Sequence, residues 1–99
     1  MAILHTVNTL SDDAAALNDC LSQIEEEDAI VFMEEAGRYE SIVKLSQYDI
    51  LNTISNPVYI LPFEELPGAY NNQHHKFNLI DYTNFVSLCC RFKLIQNWF

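Results

Sequence analysis

The polar and apolar positions fall into short blocks whose period changes along the chain. Residues 2–7 (Ala2-Ile3-Leu4-His5-Thr6-Val7) are mostly apolar with β-branched members and read as a strand. Ser11, Asp12 and Asp13 then supply N-cap oxygens and early acids, which satisfy free amides and the dipole at a helix start. Leu17, Cys20, Leu21 and Ile24 recur at i, i+3, i+4 and i+7, one apolar helix face reaching about residue 25. The run Glu25-Glu26-Glu27-Asp28 is unfavourable at a helix C-terminus and predicts a solvated turn. Ala29-Ile30-Val31-Phe32-Met33 is apolar at every position, as in a strand covered on both faces.

Arg38 to Thr53 is helical in period, with a broken stripe of Tyr39, Ile42 and Val43 (with Ser46), then Ile50, Leu51 and Ile54. Asn56-Pro57 punctuates it, because the residue before a proline leaves the α region. Val58 to Leu61 is the third predicted strand. Pro62 and Pro67-Gly68 bracket a short turn or helical piece with Phe63 and Leu66, and Asn71 to His75 reads as a polar loop. Phe77 to Ile80 is the fourth strand. Asp81 caps a last helix through about Phe92, whose apolar face is Phe85, Leu88, Cys89 and Phe92. The tail from Leu94 to Phe99 is apolar and aromatic but too short for a core of its own. Strands alternating with helices define βαβ units, hence an α/β fold with a mostly parallel sheet and right-handed crossovers. No boundary splits the chain, so residues 1–99 read as one domain.

With 49% hydrophobic residues the chain can bury a core, which excludes general disorder. The longest apolar run, Ala29 to Met33, is far too short to span a bilayer, and no membrane association is expected. No Lys or Arg precedes the first apolar stretch, so a secretory signal is not expected and the cytoplasm is the expected compartment.

The net charge of −9 is unevenly placed. Residues 1–75 hold 13 acids against Arg38 and Lys44, a balance of −11, while residues 76–99 hold Asp81 against Lys76, Arg91 and Lys93, a balance of +2. An acidic body repels phosphate backbones, so direct nucleic-acid binding is not expected and a basic protein partner suits it better. Three cysteines without an export signal argue against a disulfide framework. Cys89 and Cys90 are adjacent with no second pair at zinc-finger spacing, so neither metal nor cofactor is expected. Glycine-rich phosphate loops, the Walker lysine, the GxSxG elbow and the HExxH helix are all absent, which removes the usual nucleotide-binding and hydrolase readings.

Two segments together carry a resemblance: the opening Met1-Ala2-Ile3-Leu4-His5-Thr6-Val7-Asn8, and Ile80-Asp81-Tyr82-Thr83-Asn84-Phe85-Val86 with Gln96-Asn97-Trp98. Their pairing in a chain of this length resembles the TusB/DsrH family, the small subunits of TusBCD and DsrEFH sulfur-relay complexes. The resemblance implies a small flavodoxin-like, DsrEFH-type three-layer fold with a four- to five-stranded sheet. It implies a heterohexamer with TusC/DsrF-like and TusD/DsrE-like subunits. In the Tus branch such a complex takes persulfide sulfur from a TusA-like carrier and passes it to a TusE-like protein, toward 2-thiolation of the tRNA wobble uridine. In the Dsr branch it serves sulfur oxidation. The main reactive cysteine belongs to the D/E-type subunit, so this chain is expected to be a non-catalytic, docking subunit. One departure stands in the middle: relatives carry a glycine soon after the second strand, where this chain reads Met33-Glu34-Glu35-Ala36.

Cys20 is the candidate persulfide site, because relay chemistry needs an accessible thiol of lowered pKa. Its place on the Leu17/Leu21/Ile24 stripe, with Asp19 and Glu25 near in sequence, favours the alternative of a small buried residue. Cys89 falls on the Phe85/Phe92 face, and Cys90 points about 100° away from it. His5 is expected at the end of the first strand, where ligands collect in open α/β sheets, and reads as a histidine hydrogen-bonded across the sheet end rather than a base or ligand. His74 and His75 read as a solvated pair, and Asp81 as a cap. Tyr82, Phe85, Trp98 and Phe99 are the interface candidates, aromatic anchors being enriched at such surfaces.

Overall fold

The apolar runs become strands in the computed structural model, which describes residues 2–62 and 77–98. They are β1 (Ile3–Val7), β2 (Ala29–Phe32), β3 (Val58–Ile60), β4 (Asn78–Leu79) and β5 (Leu94–Trp98). The helices are α1 (Ser11–Gln23), α2 (Tyr39–Ile42), α3 (Tyr48–Thr53) and α4 (Tyr82–Cys90), with a 3-10 turn at Glu34–Gly37. The five strands form one sheet in the order β4-β3-β2-β1-β5, every neighbouring pair parallel. The chain walks outward from β1 to β4, then crosses back to lay β5 on the free side of β1. This is a doubly wound arrangement of the flavodoxin-like kind, in which the strand beyond β1 is the last rather than the second.

Alternation along the strands sends side chains into two apolar layers. Val7, Ile30, Phe32, Val58 and Ile60 pack with Leu17 and Cys20 of α1, Ile42 of α2 and Leu51 of α3. Leu4, Ala29 and Val31 face the other way, onto Leu88 of α4, with Phe85, Cys89 and Phe92 partly buried against them. Helices thus cover both faces of the sheet, and β2 is buried at every residue, as its unbroken apolar run requires.

Several sequence expectations need correction. Helix α1 begins at Ser11 itself, and its N-cap position falls on Leu10, which has no capping oxygen. The helix expected over Arg38–Thr53 is two short ones, because Gln47 turns inward between them and donates from Nε2 to Asn18 Oδ1 of α1 at 2.7 Å. That break resets the helical phase: Leu51 is buried, whereas Ile50, placed on the stripe by periodicity, is 50% exposed. The segment expected to be a mere tail is strand β5 from Leu94 to Trp98. Its two amide side chains interrupt the apolar signal, which an edge strand with one neighbour tolerates. Asp81 does cap α4, accepting from the Asn84 N–H at 2.8 Å. The expectations for Phe63, Leu66, Pro67-Gly68, Asn71 to His75 and Phe99 lie outside the described residues.

Candidate functional site

His5 is 2% exposed, in mid-strand on the face of the larger core, and finds a partner for each ring nitrogen. Its Nε2 lies 2.8 Å from Asp28 Oδ2, and Trp98 donates from Nε1 to His5 Nδ1 at 3.0 Å. An indole N–H can only donate, so Nδ1 is the bare nitrogen and Nε2 carries the proton given to Asp28. The Trp98 ring also stacks on His5, centroids 6.1 Å apart and planes 26° from parallel.

Asp28 is fully buried and collects two further donors: the Ile3 N–H on Oδ1 at 2.9 Å and the Glu25 N–H on Oδ2 at 3.0 Å. Burial alone would push its carboxyl up. The bonds from His5, Glu25 and Ile3 outweigh it and hold the carboxyl below its ordinary 3.8. Asn56 ties the turn from beneath, its Nδ2 donating to the Glu25 carbonyl at 2.7 Å and the Asp28 carbonyl at 2.9 Å. The acidic run is thus divided in role: Glu25, Glu26 and Glu27 are exposed, while Asp28 turns into the sheet. Sequence reading assigned all four to a solvated turn. The signal was present: an acid directly ahead of an apolar strand, and a histidine on a neighbouring strand with no partner in view.

Cys20 is buried completely, among the α1 residues of the larger core. Burial first, and the Asp28 charge second, push its thiol up to about 12. The acid that acts on it is therefore Asp28 rather than its near neighbours in sequence. Cys89 is half-buried on α4 and also raised, by burial and then by Cys90, which is exposed.

The interface candidates divide. Tyr82 is 70% exposed, Phe85 packs into the smaller core, and Trp98 is partly buried against the larger one. Val86 on α4 and Leu94 and Ile95 on β5 are exposed apolar neighbours of this group that the sequence reading did not select. Thr6 and Asn97 join β1 to β5 through a side-chain hydrogen bond, Thr6 Oγ1 donating to Asn97 Oδ1. Among the described residues no three His, Cys, Asp or Glu side chains converge as metal ligands would, and no helix is long and apolar enough to cross a membrane.

A doubly wound α/β fold with a buried His–Asp–Trp chain is the class these observations define. The family model for "DsrH like protein" matches residues 11–94. The chain belongs to that family, the TusB/DsrH family, and is a sulfur-relay subunit that works with relay partners. No curated protein gives a significant match to the chain.

Proposed function

We propose that this chain, acting as one DsrH/TusB-like domain, is the structural and docking subunit of a cytoplasmic relay complex. That complex passes persulfide sulfur toward 2-thiolation of the tRNA wobble uridine. Its companions in a heterohexamer are TusC/DsrF-like and TusD/DsrE-like subunits, with TusA-like and TusE-like proteins delivering and removing sulfur. The observation that carries the docking role is the state of Cys20: fully buried, with a thiol pushed up to about 12. A relay sulfur must reach and leave a thiolate, and at neutral pH this side chain offers neither access nor charge. The exposed Tyr82, Val86, Leu94 and Ile95 supply apolar surface for neighbours instead.

The test is Cys20→Ala in the assembled complex, charged with a persulfide donor. Delivery of sulfur to the downstream carrier, and formation of 2-thiouridine in a reconstituted reaction, continue at near the unmodified rate. Intact-mass analysis finds no added sulfur atom on Cys20 of the natural chain. Delivery abolished in a normally assembled Cys20→Ala complex would instead make this a DsrH-like carrier subunit using Cys20. Delivery preserved but useless for tRNA, with transfer into a sulfur-oxidising system, would move the chain to the Dsr branch.

A further inference from the structure

Among the described residues, β5 closes the sheet on one side and has β1 as its neighbour in the order β4-β3-β2-β1-β5. The Asn8 N–H donates to the Trp98 carbonyl at 3.1 Å, so the backbone of Trp98 faces β1. Backbone groups alternate sides along a strand, so those of Leu94 and Gln96 also face β1 while the N–H and C=O of Ile95 and Asn97 face outward. Natural edges are blunted by a charge, a proline or a bulge within the strand. Leu94-Ile95-Gln96-Asn97-Trp98 contains neither charge nor proline, and Leu94 and Ile95 are 48% and 46% exposed.

The corner beside this edge has its own charge. Arg91 and Lys93 stand just ahead of β5, both exposed and without an ion pair among the described residues. In a chain of net charge −9, the stretch from Tyr82 to Trp98 contains no acid. Val86 and Tyr82 of α4 add exposed apolar surface to the same C-terminal region.

We propose that the outer edge of β5 accepts an extended strand from a different protein, with carboxylates flanking that strand to meet Arg91 and Lys93. Main-chain bonds to Ile95 and Asn97 hold it, and the flanking charge selects it. A second copy of this chain fits less well. It brings two bodies of charge −9 together, and residues 82–98 of the copy bring no carboxylate to the cations. The inference rests on the docking role proposed above and names the chemistry of the partner segment.

The test uses the full chain, isotope-labelled for NMR, and two synthetic peptides. Each has a Val-Thr-Val-Thr-Val centre, flanked at both ends by two glutamates in one and two lysines in the other. The glutamate peptide slows amide exchange at Ile95 and Asn97 by about tenfold or more and leaves Gln96, already paired to β1, unchanged. The lysine peptide does so weakly or not at all. The Arg91→Glu/Lys93→Glu chain, altered only at exposed positions, reverses the preference. Equal protection by both peptides, or by neither, overturns the proposal. So does protection of Ile95 and Asn97 in the chain alone with the tumbling time of a dimer, which would assign the edge to a second copy. No sulfur carrier is present in this assay, so its failure leaves the relay reading standing, and failure of sulfur delivery leaves the peptide result intact.

Discussion

With Trp98 donating to Nδ1 of His5 and Asp28 accepting from Nε2, one buried imidazole joins the start of β2 to the end of β5. Removing the acceptor leaves the buried His5 donor and the part-buried Ile3 and Glu25 amides unmatched. Asp28→Asn, whose amide cannot accept all three, is expected to lower the unfolding free energy by about 3 kcal/mol in urea titration. The acid limb follows from the same contacts. A carboxyl held below 3.8 in the folded state binds fewer protons there than in the unfolded chain. Its contribution is complete above that ordinary value and disappears as pH falls through the lower folded one. Melting curves taken from pH 6 downward should therefore show a drop below about 3.8 that is smaller in Asp28→Asn. At Cys20 the two small replacements separate in stability. Cys20→Ser buries an extra hydroxyl and costs on the order of 1–3 kcal/mol, Cys20→Ala less, both read by thermal unfolding.

At the scale of elements, Ala14 in α1 and Glu34 are the described non-glycine residues with positive φ, and the resemblance bears on Glu34. It opens the 3-10 turn after β2 with φ at 53°, in the left-handed region where a side chain is penalised. The resemblance places a glycine soon after the second strand, and the structure shows what such a residue would relieve. Glu34→Gly is expected to raise stability by about 0.5–1 kcal/mol after the larger unfolded-state entropy of glycine is allowed for, measured by chemical denaturation. The regular elements were legible where one signal governs them. β2 declared itself by an unbroken apolar run, α1 by spacing of three and four, and α4 by its aspartate cap. β5 was not legible, because an edge strand needs only one side satisfied and its apolar content is diluted by Gln96 and Asn97. Asp28 was missed for a related reason: periodicity describes a residue's own element, whereas its burial is decided by His5 on the neighbouring strand. Truncation after Lys93 would remove more than an interface anchor. It deletes β5 and with it the Thr6–Asn97 and His5–Trp98 bonds, so Arg91→Glu/Lys93→Glu is the cleaner probe of assembly.

For the molecule as a whole, the dominant electrostatic fact is a charge of −9 on 99 residues. Most of it sits in exposed side chains such as Glu25, Glu26, Glu27, Glu34 and Glu35. Unpaired like charges repel in the compact state and are screened by salt. Raising sodium chloride from low millimolar to about 0.5 M should therefore raise the melting temperature by several degrees, where a chain held by surface ion pairs would lose stability. The same asymmetry sets the acidic body apart from the C-terminal corner with Arg91 and Lys93, which carries the opposite sign.

The placement of β5 beside β1 also sets an order in time. Pairing β1 with β2 closes a loop of about 25 residues, as the Ile3–Asp28 bond measures it, whereas pairing β1 with β5 closes one of 91, as Thr6–Asn97 measures it. The longer closure costs about 1 kcal/mol more in chain entropy, so the β1–β5 pairing is expected to form after the β1–β2 pairing. Until it does, the edge of β1 stands open, and the chain is most exposed to mispairing during that interval. Trp98, the one tryptophan in the sequence, rides on the late strand. Its fluorescence therefore follows the closing step, after far-ultraviolet circular dichroism has registered the earlier pairing.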